Sequence, residues 1–341
     1  MKEKLLFFSI KHPLSLILLF AIIVKILAVI FTDGLLIEVD FNYYRIPHSW
    51  LANPWIVYIS RVIIGAFSML IITLAYRITK ILADKTTALE IATFGALLWG
   101  VPYVTVHPFA SVISLPFLLY GTLLIIKQHN LLDNNDIDKF HRTTFIIAGF
   151  CLGLGFAVYY QSIIYYIGIL LTLLILKNWK GALMTLIGYI VAVGITQTVV
   201  DLIIFHKPFV AIAYFFQDIC SIRIAFISIV NNLQVTGFFL LALLVPPMSI
   251  MLIFGFFRVF RKYILLVLPA FISILYTIFL SNEFEVLLLM MPTYIIAGYV
   301  GWKEFHKNSA FWTKNKWLIV TCYTLFALLN IALMVLIFVY L

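Results

Sequence analysis

The chain is poor in charge. Only 11% of its 341 residues are Asp, Glu, Lys or Arg, against about 25% in a typical soluble domain. A water-soluble surface cannot be built from so few charges. Cysteine is scarce as well. Cys151, Cys220 and Cys322 stand apart with no Cys-x-x-Cys pair, so their spacing gives no argument for a metal or redox cluster. No internal repeat and no filter-like segment appears, so neither the repeated halves of many transporters nor an ion channel is indicated. What abounds is apolar. Hydrophobic residues make up 64% of the chain, gathered in runs of about 20 that match a bilayer core of ~30 Å. Backbone in lipid must satisfy its own hydrogen bonds, so these runs are expected to be helices. Barrel strands are shorter and alternate polar with apolar residues. The expected fold is all-α: a polytopic transmembrane helical bundle of about ten or eleven helices in one domain, 1–341.

The expected spans are 14–31, 54–76, 88–104, 110–126, 145–158, 162–176, 182–205, 235–257, 264–280, 286–302 and 317–340. The first follows Lys2, Lys4 and Lys11 but has no small-residue cleavage site and is interrupted by Lys25, so it reads as a retained helix rather than a signal peptide. With the N-terminus in the cytoplasm, all but five of the 23 basic residues fall on the cytoplasmic side. The five are Lys25, Arg45, Arg61, Lys207 and Arg223. This is the positive-inside pattern. The formal charge of +9 is thus a topology signal and not a footprint for nucleic acid. Seven of the 14 acidic residues (Asp33, Glu38, Asp40, Asp201, Asp218, Glu283 and Glu285) gather on the opposite side. Acids contribute little to orientation, so the accumulation reads either as ordinary loop polarity or as an acidic outer site.

The first outer loop holds Glu38-Val-Asp40, then Tyr43, Tyr44 and Arg45. In an extended segment Glu38 and Asp40 face the same way. Such a pair would serve as a general base with a tuning partner, or share a divalent cation such as Mg or Mn; no other cofactor is called for. Arg61 and Lys25 lie inside spans, where charge is costly and usually faces a protein interior or a wet cavity. Arg61 either snorkels outward or meets a lipid phosphate or an outer acid. Lys25 lies deeper and is expected in an internal salt bridge or structural hydrogen bond. His107 lies in the outer turn after the third span, as a structural histidine or a substrate contact. Tyr160 and Gln161 sit in another outer turn, as an interfacial belt or as sugar contacts. Asp201, Lys207 and Arg223 belong to the largest outer segment, where the two cations suit an anionic phosphate headgroup. Glu283 and Glu285 form a second acidic pair. The polar stretch 127–142 reads as a solvated cytoplasmic linker.

Several of these segments together resemble the GT-C superfamily of multi-spanning glycosyltransferases, notably its mannosyltransferase branch in dolichol-linked oligosaccharide and GPI assembly. The likeness rests on Glu38-Val-Asp40 after the first span and on the Gly-rich helix GFCLGLGFAVYYQ at 149–161. It also rests on Asp201 followed by HKPF and AYF, and on NEFEVLLLMMP at 282–292. The sequence departs where the family's Arg-Tyr-Gln has Tyr159 in first place, and where Asn282 and Glu285 replace basic residues. The resemblance implies a catalytic-type module over about 1–205 followed by C-terminal helices over 206–341. It implies a polyprenyl- or dolichyl-phosphate sugar donor and a glycan or glycolipid acceptor, with transfer on the extracytoplasmic face. Asp40 would be the catalytic base, with Glu38 next. Tyr43, Tyr44, Arg45, Arg61, His107, Tyr160, Gln161, Asp201, Lys207, Arg223 and Glu283 would shape the substrate site. A bacterial inner membrane is the expected location. Three alternatives stand beside this reading: another enzyme of lipid-linked polysaccharides, a transporter or flippase of lipid-linked saccharides, and an inactive membrane scaffold.

Overall fold

A computed structural model describes residues 12–31, 54–107, 109–133, 141–210, 212–213, 216–217, 226–242, 245–280 and 284–340. Among these, every regular element is a helix. In chain order they are α1 (Pro13–Phe31), α2 (Pro54–Leu82), α3 (Lys85–Leu97), α4 (Gly100–Val104), α5 (Ala110–Asp133) and α6 (Arg142–Val158). A single 3-10 turn (Tyr160–Ser162) leads into α7 (Ile163–Ile175) and α8 (Trp179–Phe205). Then come α9 (Phe226–Ala242), α10 (Met248–Arg258), α11 (Ile264–Phe279), α12 (Phe284–Asn308), α13 (Ala310–Lys314) and α14 (Lys316–Tyr340).

Among the described residues six helices are long and apolar enough to cross a bilayer: α1, α2, α5, α8, α12 and α14. The shorter apolar helices α6, α7, α9, α10 and α11 pack between and beside them. The chain is therefore an all-helical, multi-pass membrane protein. Two expected spans are interrupted. The run 88–104 is divided between α3 and α4. Pro102 stands at the third position of α4; in a helix continued from α3 its ring would crowd the carbonyl of Leu98, and it has no N–H to donate. The run expected to begin at 235 starts at Phe226 and is divided between α9 and α10, with Pro246 and Pro247 at the break. The stretch 127–142 is partly helical, since α5 continues to Asp133; residues 134–140 lie outside the described residues.

α12 is the central post. It packs on α10, α11, α5 and α2, and 89% of its apolar window is buried. α14 is the opposite case at 6%. Two crossings explain the glycines. On α6, a Cβ at Gly149 would overlap the carbonyl oxygen of Thr185, and on α8 a Cβ at Gly188 would overlap that of Ile146. On α10 and α12, Gly255 and Gly298 meet in the same way. With no hydrophobic drive between helices in lipid, backbone approach through small residues supplies the van der Waals contact. The Gly-rich stretch that carried part of the family resemblance thus has a packing role here.

Candidate functional site

The corner where α1 ends and α2 begins gathers the buried cations. Lys25, on α1, is 5% exposed. Its ammonium donates to the Ser68 hydroxyl of α2 at 2.7 Å and to the Thr105 hydroxyl. The expected structural hydrogen bond is thus present, with neutral hydroxyls as acceptors. Arg61 is 1% exposed. Its Nη2 donates to the carbonyl oxygen of Ala28 at 3.1 Å, so the guanidinium turns inward rather than snorkelling. Arg61, Gly65 and Ser68 recur at four- and three-residue intervals, which puts them on one face of α2.

The turn after α4 completes the corner. His107 is fully buried, not solvated. Its Nδ1 lies 2.7 Å from the Tyr103 carbonyl oxygen, and its ring lies 4.6 Å from that of Tyr103. Arg61 acts electrostatically on the same tyrosine. Val106 packs against Ala28 and Val29 and so seats the turn on α1. On the far side of the helix break, Asn330 of α14 holds the open backbone. Its Oδ1 accepts from the Trp99 N–H at 2.9 Å and its Nδ2 donates to the Leu97 carbonyl at 2.7 Å. The interrupted helix carrying Thr105 and His107 is thereby fixed in place.

Between α1 and α2 a cavity of about 510 Å³ is lined by Ile22, Lys25, Ile26, Val29, Ile30, Arg61, Val62, Gly65, Ala66, Met69 and Val106. Among the described residues its walls are aliphatic and its charged groups are Lys25 and Arg61.

The other expected site residues lie on different elements. The Tyr159 hydroxyl donates to Gln161 Oε1 at 2.7 Å, which leaves Gln161 buried and engaged within its own turn. Tyr160 is half-buried beside Tyr159. Asp201 is buried near the end of α8, while Lys207 is exposed just beyond it. α8 packs chiefly on α6 and α7, whereas α2 packs on α1, α3 and α5. Glu38, Asp40, Tyr43, Tyr44, Arg45, Arg223 and Glu283 lie outside the described residues. Glu285 is described: its Oε2 accepts from the Ser111 N–H at 2.9 Å, capping the start of α5 from another helix. Among the described residues no group of three His, Cys, Asp or Glu side chains converges to hold a metal.

Sequence reasoning missed Ser68, Thr105 and Asn330. Each was detectable as a polar residue within an apolar run, where such side chains tend to bond across helices. No protein-family model matches the chain, and no curated protein matches it.

Proposed function

We propose that the protein is a GT-C-type glycosyltransferase. It would move a hexose, mannose-like by resemblance, from a polyprenyl-phosphate donor to a lipid-linked or cell-envelope acceptor. The reaction would take place on the extracytoplasmic face of a bacterial inner membrane. The observation that carries this reading is the cationic corner at the two ends of the acidic segment. Phe31 and Pro54, which bound the segment holding Glu38 and Asp40, belong to the helices that bring Lys25 and Arg61 together. Glu38 and Asp40 follow Phe31 by seven and nine residues, a reach of at most about 25–32 Å.

The chemistry asks for that combination. Asp40, or Glu38 in its place, takes the proton of the acceptor hydroxyl. The oxygen attacks the anomeric carbon, the bond from that carbon to the phosphate oxygen breaks, and the lipid monophosphate leaves with the electron pair. Arg61 and Lys25 neutralise the leaving anion, and in a water-poor setting such fixed cations act strongly. Tyr43, Tyr44, Arg45, Tyr160, Gln161, Asp201, Lys207, Arg223 and Glu283 would complete the sugar and acceptor contacts, with His107 behind Tyr103. A Mg or Mn ion on Glu38 and Asp40 is a separate arm of the test.

The test is transfer from radiolabelled polyprenyl-phosphate mannose and glucose by the purified protein in liposomes, with and without EDTA. Transfer by the wild type with a loss of about 100-fold or more in Asp40→Asn is expected. Retained transfer in that variant moves the base to Glu38. No transfer from either donor by folded protein overturns the reading. A flippase has one observation in its favour: α3–α4 and α9–α10 are interrupted helices, which line substrate paths in transporters. Movement of the lipid-linked sugar across the liposome without transfer would select it.

A further inference from the structure

We infer that the seam between α7 and α8 binds a neutral polyhydroxylated ligand, which in the proposed reaction is a non-reacting sugar of the acceptor glycan. The choice of an acceptor sugar rests on that reaction; the site itself stands on the helices. Four side chains there are buried, none of them more than 7% exposed: Ser162, Tyr166, Tyr189 and Gln197. Among the described residues, the Ser162 Oγ, both tyrosine hydroxyls and the Gln197 Oε1 have no hydrogen-bond partner. The Tyr166 and Tyr189 rings stack at 3.8 Å with 2° between their planes, which identifies the faces that α7 and α8 turn to each other. Ser162 precedes Tyr166 by one turn and Gln197 follows Tyr189 by about two, positions that share those faces. α8 packs chiefly on α6 and touches α7 far less, so these groups do not lie in a tight helix crossing.

Helix register places the seam. α6 and α8 run side by side in one direction, since a Cβ at Gly149 would meet Thr185 and one at Gly153 would meet Tyr189 and Ala192. Five residues on from Gly153, α6 ends at Val158, near the level of 194–197. There the chain turns through Tyr160–Ser162 into α7. α8 continues to Phe205, about 12–16 Å further. Gln197 stands at this step, with Ser162 and the stacked tyrosines below it, and a ligand enters from the step. Within a membrane bundle a buried polar group without a partner is costly. An apolar occupant would leave all four unpaired. An ion would meet no opposite charge among them. Hydroxyls both donate and accept, as a carboxamide does through its two ends. A neutral ligand with several hydroxyls therefore suits each of the four, and a sugar ring is such a ligand. The proposed reaction gives the donor phosphate to Lys25 and Arg61, on α1 and α2. α8 packs chiefly on α6, so the sugar held here is one that does not react.

The test is binding of mannobiose and of cellobiose to the full-length protein in lipid nanodiscs, read by saturation-transfer NMR titration. Tyr166→Phe and Tyr189→Phe each remove one oxygen and keep the stacked rings. The expected result is saturable binding of at least one disaccharide by the wild type, weakened about tenfold or more by each variant. The melting temperature of the sugar-free variants should equal or exceed that of the wild type, because the lost hydroxyl had no partner to give up. That pairing of weaker binding with undiminished stability is what a purely structural tyrosine would not produce. No saturable binding of either disaccharide means that the four groups hold water alone, and overturns the site. Wild-type affinity in both variants places the sugar elsewhere and also overturns it. A clear fall in melting temperature in the variants means that the hydroxyls serve packing, and overturns it as well. Binding as expected with no sugar transfer leaves the site standing and removes the glycosyltransferase. Transfer without binding in the seam keeps the enzyme and removes the site.

Discussion

The two ends of the bundle treat charge differently. At the end bearing Leu82 and Asn308, basic groups meet acids. Lys262 bonds Glu304 at 2.6 Å, Lys303 meets Glu90, and Lys307 lies 3.7 Å from Asp84. These groups are mostly part-exposed. The Tyr263 hydroxyl adds a bond to the same Glu304 at 2.9 Å. At the opposite corner Lys25 and Arg61 are buried, and the acceptors identified for them are hydroxyls and a backbone carbonyl. A part-exposed ion pair adds little stability because water already solvates both partners. A buried charge is costly, and proteins keep such residues within membranes chiefly where an ion or substrate passes. At one end the charges are exposed and paired with acids; at the other they are buried.

The sharpest way to break the buried corner leaves its cations in place. Asn330 is the one buried residue among the described residues of α14, and it satisfies both backbone groups at the α3–α4 break. Asn330→Leu leaves the Trp99 N–H and the Leu97 carbonyl without those partners, at about 1–3 kcal/mol each. Thermal unfolding in detergent should show a clear fall in Tm. Transfer activity should fall further than Tm alone explains, because Thr105 and His107 depend on the break for their position. An unchanged Tm would mean that the interrupted helix supports itself.

Some of this was legible in the sequence and some was not. Apolar runs and the absence of charge gave an all-helical membrane bundle, and most expected spans overlie observed helices. The runs 88–104 and 235–257 were read as unbroken because hydropathy ignores backbone geometry; Pro102, Pro246 and Pro247 were the available warning. Lys25 and Arg61 stood out because charge inside a span is rare. Their partners did not, since Ser68 and Thr105 become meaningful only when α1, α2 and the turn after α4 meet. Gly149 stood in the stretch that carries the family resemblance; that it also sits at a helix crossing needs the opposing Thr185 carbonyl in view. Glu285 stood in a second acidic pair, read as a polar turn or as part of an outer site; its bond to the Ser111 N–H at the start of α5 needs the other helix in view. The acidic segment with Glu38 and Asp40, to which the proposed reaction assigns the base, lies outside the described residues.

At the ion-paired end the largest single effect belongs to a helix cap. Asp84 accepts from the Thr86 hydroxyl, and from the Thr87 N–H and hydroxyl, at the start of α3. The Thr86 bond, followed by those to Thr87, holds its carboxyl well below the usual carboxylate range. Asp84→Ala should cost about 0.5–2 kcal/mol, the range for losing an N-cap. Because the folded-state pKa is depressed, the carboxylate's contribution is full above the unfolded value of about 3.9. It begins to be lost as the pH falls below that value and is gone only below the depressed folded-state value. Melting curves should therefore show the full gap between wild type and Asp84→Ala at pH 7 and a narrower gap at pH 3 that has not closed. A constant gap would mean that the ionised cap is not the source of the effect.

The smallest effect is expected where the charges are best paired. Glu304→Gln removes the carboxylate from Lys262 but keeps an oxygen able to accept from the Tyr263 hydroxyl. The Lys262 side chain is 58% exposed and that of Glu304 37%, so water screens the pair. The loss should be about 0.2–1 kcal/mol, and should shrink in 1 M salt, where the Debye length falls to about 3 Å. Lys25→Met behaves differently under the same treatment: its effect on transfer from the lipid-phosphate donor should persist at high salt, because a buried charge in the cavity between α1 and α2 is largely beyond the reach of mobile ions. If the two variants showed the same salt dependence, the contrast between the ends would fail, and Lys25 would have to be counted with the exposed charges despite its burial.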